Sequence, residues 1–193
     1  MRLVLASRSP RRADLLTAAG YAFSVTPADI DEERRGEETA SQYVRRLAVE
    51  KAARVTATAP DAIVLGADTV VLVEGQLLGK PVDDADAAAM LTRLSGRSHE
   101  VLTGVALVSP AWRGAEVVTT QVTFRTLTPA DVAWYVASQE PVGKAGAYAI
   151  QGRASRFVTR IDGSYSNVVG LPMATVDAML RASGAATRTH PGP

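Results

Sequence analysis

Leu3 to Ala6 form an unbroken apolar run, after which the chain turns polar and cationic through Ser7, Arg8, Ser9, Pro10, Arg11 and Arg12. A short continuous apolar run reads as a buried strand, and a hydroxyl followed by proline reads as a helix start. Ser9 is the expected N-cap and Pro10 the first helical residue. That helix should run to about Ala19, with Gly20 as a left-handed stop, and Tyr21 to Thr26 reads as a second strand. Beyond ADIDEERRGEE, Thr39 and Gln42 form a capping box. Tyr43, Val44, Leu47, Ala48, Ala52 and Val55 then recur at helical spacing as far as about Thr58.

The pattern changes period in the middle of the chain. Ala62 to Leu65 and Val70 to Val73 read as strand segments on either side of GAD, and EGQ suits a hairpin turn into Leu77 and Leu78. Asp84 to Leu94 is a predicted helix stopped by Gly96. Glu100 to Val108 and Val117 to Leu127 resemble antiparallel strands, and Thr128, Pro129 and Asp131 open a helix carrying Trp134 and Tyr135. Tyr148 to Ile150 and Phe157 to Ile161 add strand material, and Pro172 to Ala182 reads as a closing helix. Parallel-type openings mixed with hairpins predict an α/β fold with a mixed sheet. The length of 193 residues suits one domain, taken as residues 1–184, with a disordered tail over 185–193.

Charge and composition remove several function classes. Lys and Arg number 21 against 20 Asp and Glu, so the molecule lacks the general basic charge of a phosphate-gripping nucleic-acid binder, and any anion site must be local. The chain has no cysteine, which excludes disulfides, thiolate nucleophiles, Cys-based zinc sites and iron-sulfur clusters. The opening apolar run is too short for a signal-peptide core, and no apolar run approaches the roughly 18 residues of a membrane span. A cytoplasmic protein without membrane contact is expected.

Against that background a few residues stand out. Arg11 and Arg12 lie beside the unpaired N–H groups of a helix first turn, and arginine there has the wrong sign for the helix dipole unless an anion offsets it. A capped helix with two solvated arginines is the plain alternative. Asp68 in IVLGADTVVLV places one carboxylate in an apolar run, where burial is costly unless the charge is paired or binds metal. It can equally cap a strand-end turn. Lys51 falls on or beside the apolar stripe of its helix, pointing inward or snorkelling to water, and Lys80 in LGKP and Lys144 in VGKAG sit in apolar or glycine-rich settings. The acids of IDEERR could reach a divalent cation together with Asp68, although such runs are more often solvated. Gln151 ends an apolar segment, and its amide donates and accepts at once, as reading a nucleobase edge requires. His99 and His190 are the only histidines, and GxGxxG, HExxH and GxSxG are absent. What remains is metal plus carboxylate chemistry on a phosphate-rich substrate.

Taken together in this order, LASRSPRRADLL, VEKA, LGADTVV, LGKP, TGVAL, EPVGKAGAYAIQG and GSYSNVVGLP resemble the Maf family of nucleoside triphosphate pyrophosphatases, across about residues 3 to 180. The resemblance implies a central mixed β-sheet with helices on both sides and two lobes around a cleft, similar to the inosine triphosphate pyrophosphatases, and a homodimer. It implies hydrolysis between the α- and β-phosphates, assisted by Mg or Mn, to a nucleoside monophosphate and pyrophosphate. Asp68 falls at the family's proton acceptor. Arg11, Thr69 and Gln151 fall at the three positions that divide the family, in the combination of the dTTP and UTP branch. On this reading Ser7, Arg11, Arg12, Lys51 and Lys80 hold the phosphates, and Asp68 with Glu32 places the metal. A regulator of cell division that binds nucleotide or nucleic acid is the alternative, and the balanced charge disfavours nucleic acid.

Overall fold

The apolar runs become the strands of one sheet. A computed structural model describes residues 1–184, so the expected tail at 185–193, including His190, lies outside the described residues. Its elements are β1 (Leu3–Ala6), α1 (Pro10–Ala18), β2 (Phe23–Val25), α2 (Ala40–Thr56), β3 (Ile63–Val73), β4 (Gln76–Leu78), α3 (Asp84–Leu94), β5 (Ser98–Val108), β6 (Arg113–Phe124), α4 (Pro129–Ala137), β7 (Val158–Asp162), α5 (Tyr165–Val169) and α6 (Met173–Ala182). The strand order is β2-β1-β3-β5-β6-β7, with β4 paired to β3. β1 runs parallel to β2 and β3, whereas β4 against β3 and β7 against β6 are antiparallel. The sheet is therefore mixed, as the alternation of helix and hairpin signals predicts.

By internal packing the described residues divide into two compact units. The first comprises 1–68, 103–118 and the chain from Gly170 onward, and the second comprises 69–102 and 119–169. In the first unit the period-2 alternation of the strands sorts side chains to two faces. Leu3, Leu5, Ile63 and Leu65 pack with Leu16 of α1 and Val176 and Leu180 of α6. Val4, Ala6 and Val64 pack with Ala48, Ala52 and Val55 of α2. Helices thus cover both sides of these strands. The second unit is centred on edge-to-face rings, with Phe124 at 4.9 Å from Tyr148 and Tyr135 at 5.3 Å from Phe157.

Three local expectations are corrected. β3 does not break at GAD but runs through it as a single strand, so Asp68 is a mid-strand residue and not the cap of a strand-end turn. Tyr148–Ile150 is not a strand: it lies between short 3₁₀ turns at Ala145–Ala147 and Arg153–Arg156, buried because the segment folds onto α4, where Ala149 N–H is taken by the Tyr135 hydroxyl. Ser9 occupies the N-cap position of α1, yet its hydroxyl makes no capping bond, and its own N–H donates to Ser7 Oγ at 3.2 Å. The short helix α5 had no periodic signal, since five residues are little more than one turn.

Candidate functional site

The loop from β1 into α1 is organised around one buried arginine. Arg12 is 8 % exposed, and its Nε donates to Gly170 O at 2.7 Å while Nη1 donates to Ala67 O at 2.9 Å and to Ser7 Oγ at 3.0 Å. Burial pulls its pKa down, and the nearby charge of Asp68 opposes that fall. Arg12 fixes the residue before Asp68, the first hydroxyl of the loop and the segment leading into α6. Ser7 Oγ accepts from both Ser9 N–H and Arg12, which leaves its own proton to donate. Arg11 is half-buried one position away, and Arg8 is an exposed residue, 3.6 Å from Asp29.

Asp68 sits opposite α2, and a glycine sets how closely that helix approaches. A Cβ on Gly66 would collide with Ala48 O and would lie 2.8 Å from Ala52 N, so only glycine lets α2 settle onto β3. Gly66→Ala is expected to destabilise the fold by about 3 kcal/mol, because the obstructing atoms are helix backbone and cannot rotate away. Chemical denaturation measures it; an unchanged midpoint would refute the close approach.

With the helix that near, Lys51 turns inward. Its Nζ lies 2.7 Å from Asp68 Oδ1 and 2.6 Å from Glu32 Oε1, and its side chain is 9 % exposed. A buried ammonium between two carboxylates has the partners that burial of charge demands. The loop that brings in Glu32 is tied down by α2, through Tyr43 OH to Glu32 O at 2.7 Å and Arg46 Nη2 to Glu33 O at 2.9 Å. Arg46 also pairs with Glu38 at 2.6 Å and Glu50 at 3.2 Å, and its hydrogen bond to Glu38 lowers that carboxyl to about 2. The acidic run is therefore not simply solvated, although of its acids only Glu32 reaches Lys51. Asp31 turns back on Glu33 N–H at 2.8 Å.

Among the described residues no three His, Cys, Asp or Glu side chains gather as a metal cluster. Asp68 and Glu32 are instead a pair sharing Lys51, each with a second oxygen, and two hard oxygen donors suit a Mg or Mn ion that completes its shell with substrate phosphates and water. The donor set fits such an ion.

The remaining candidates lie in the second unit. Thr69 follows Asp68 on β3 and is half-buried, and Lys80 is exposed after β4. LGKP and VGKAG meet, since Gly146 N–H donates to Gly79 O at 3.0 Å, while Lys144 Nζ donates to Val142 O at 3.2 Å. Gln151 is exposed in the turn between the two 3₁₀ segments. His99 is a core residue, 2 % exposed, with Nε2 2.8 Å from Tyr148 OH and its ring edge-on to Phe124 at 5.0 Å. Desolvation lowers its pKa to about 4.

Sequence reading overlooked Arg46, Tyr43 and Gly170 as supports of this site. The Arg46–Glu50 spacing was a visible helical ion-pair signal, whereas nothing in the sequence marks Gly170 as the acceptor for an arginine 158 residues away. Among the described residues no helix is long and apolar enough to cross a membrane.

Residues 2–183 match the family model described as Maf-like protein. The chain is 53% identical over 184 residues to a dTTP/UTP pyrophosphatase of Myxococcus xanthus (strain DK1622), covering 94% of this chain and 92% of the relative. It is 52% identical over 188 residues to one of Xanthomonas euvesicatoria pv. vesicatoria (strain 85-10), covering 95% and 99%. A third, of Syntrophus aciditrophicus (strain SB), is 47% identical over 188 residues, covering 96% and 92%.

Proposed function

This chain belongs to the Maf-like protein family, and from that premise we propose that it hydrolyses dTTP and UTP, and modified pyrimidine triphosphates with the same base edge, to the nucleoside monophosphate and pyrophosphate. The observation that carries the reading is Asp68, a carboxylate in the middle of an apolar strand, held by the buried Lys51 ammonium at 2.7 Å. Such a group is expensive to keep unless it has work to do.

The roles proposed for the other residues are these. The triphosphate is received by the uncapped first-turn N–H groups of α1 with Ser7 and Arg11, and Lys51 and Lys80 add positive charge. Arg12 contributes by holding Ser7 and the backbone before Asp68. Asp68 accepts a proton from the attacking water through the oxygen that Lys51 leaves open, and the water oxygen bonds to the α-phosphorus as the bond to the bridging oxygen breaks. Pyrophosphate departs with that electron pair, and cationic groups stabilise the charge it gains. A Mg or Mn ion held by Asp68, Glu32 and the phosphates would supply further charge neutralisation. Gln151 pairs with the base: its carbonyl accepts from the ring N–H and its amide nitrogen donates to the neighbouring carbonyl, an edge common to uracil and thymine and reversed in cytosine. Thr69 and Arg11 complete the selecting set by family resemblance.

The cysteine-free sequence suits a reducing compartment, and we place the enzyme in the cytoplasm as a homodimer; sedimentation of the purified chain tests the second point. The activity itself is tested by product analysis with each common NTP and dNTP in the presence of Mg or Mn. Pyrophosphate from dTTP and UTP is expected. Orthophosphate as the sole product, or tight nucleotide binding with no turnover, would overturn the reading and favour the regulator.

A further inference from the structure

Two residues that the proposed reaction leaves unused hold the turn carrying Gln151. Tyr135, on α4, is fully buried, and its hydroxyl donates to Glu140 Oε1 at 2.9 Å while accepting from Ala149 N–H at 3.0 Å. The other oxygen of Glu140, Oε2, accepts Arg153 N–H at 3.0 Å. Gly152 lies against the same carboxylate, where a Cβ would sit 2.7 Å from Oε2 and closer still to Oε1. Two turn bonds, Gly152 N–H to Ala149 O and Ser155 N–H to Gly152 O, both 3.0 Å, complete the brace. The main chain is thus fixed before and after Gln151. Its side chain is exposed, and among the described residues its amide joins no hydrogen bond.

We propose that Tyr135 and Glu140 are positioning residues for pyrimidine recognition, fixing the backbone on both sides of Gln151 so that its side chain reaches the base from a set position. The inference rests on Gln151 as the reader of the base. A glutamine can pair with a base edge only when its Cα stands at the right distance and direction from that edge, which the fixed main chain supplies. A braced turn also removes the ordering cost that a mobile one carries into binding. Loosening the brace should therefore erode base preference and affinity while sparing the chemical step.

The test measures kcat and KM for UTP and CTP in the wild type, Tyr135→Phe, Glu140→Ala, Glu140→Gln and Gln151→Ala, each checked for folding by circular dichroism and thermal melting. Tyr135→Phe and Glu140→Ala are expected to raise KM for UTP roughly tenfold and to narrow the UTP-to-CTP ratio of kcat/KM by a similar factor, with kcat almost unchanged. Glu140→Gln, which retains an acceptor for Arg153 N–H, should recover most of the preference. Adding Glu140→Ala to Gln151→Ala should cost nothing more. If Gln151→Ala narrows the preference and the folded Tyr135→Phe and Glu140→Ala proteins do not, or if they lose only kcat, the positioning role is overturned. If Gln151→Ala itself keeps the wild-type ratio, Gln151 does not read the base, and the inference falls with that reading. Should Glu140→Ala fail to fold, Tyr135→Phe, which removes one oxygen, decides alone.

Discussion

Asp68→Asn is expected to lower kcat for UTP by roughly 10²–10⁴-fold, the usual contribution of a positioned base, and to leave a folded protein. Asparagine has nearly the same shape, and its carbonyl oxygen can still accept from Lys51 Nζ, which the native carboxylate meets at 2.7 Å. What it cannot do is take a proton from water. The exchange also leaves Lys51 with Glu32 as its remaining acidic partner, 2.6 Å away on a side chain 44% exposed. A modest fall in melting temperature is therefore expected alongside the catalytic loss, and nucleotide binding should survive. Glu32→Gln should cost less turnover, since Asp68 would still be paired. Folded Asp68→Asn protein that released pyrophosphate at the wild-type rate would remove Asp68 from the chemistry.

Acid should weaken the fold through His99. Burial against Phe124 and Tyr148 lowers its pKa from 6.5 to about 4, so between those values the unfolded chain binds a proton that the folded chain refuses. Stability is complete above pH 6.5 and is lost as pH falls toward 4. At 1.36 kcal/mol per unit the loss is about 3 kcal/mol. Urea unfolding at intervals across this window measures it. His99→Gln, which keeps a polar partner for Tyr148 OH but does not titrate, should be less stable at pH 7 and flatter between pH 6.5 and 4. Parallel profiles for the two proteins would show that His99 is not the responsible group. Glu38, lowered to about 2, acts in a more acidic range, where stability present above its ordinary value of 4.5 is lost as pH falls through the folded one.

Locally encoded features were legible in the sequence. The capping box of Thr39 with Gln42 forms as its spacing predicts, Thr128 and Pro129 open α4 as expected, and α2 follows its apolar stripe almost to the expected end. Misreadings arose where a distant partner overrode local pattern. GAD looked like an interruption because a lone carboxylate should not persist inside a strand, and it persists because Lys51 arrives from a neighbouring helix. Tyr148–Ile150 looked like a strand because it is apolar, yet its Ala149 N–H goes to a tyrosine side chain and its Ala149 O to a turn. For the site, Asp68, Lys51 and Glu32 were each legible as candidates. That one ammonium joins them depends on the Gly66 approach and on Tyr43 and Arg46 holding the loop, and no spacing rule encodes either.

The Arg12 anchor has a consequence for the order of synthesis. Its Nε bonds Gly170 O across 158 residues, and the first unit closes only with the chain from Gly170 onward. A ribosome must therefore have passed residue 170 before that guanidinium can find its acceptor. Until then an arginine destined for burial stays hydrated, and the backbone beside Asp68 lacks its restraint. The nascent chain thus carries the residues proposed to act on nucleotides without the arrangement to do so, and a product terminated before residue 170 should be inert.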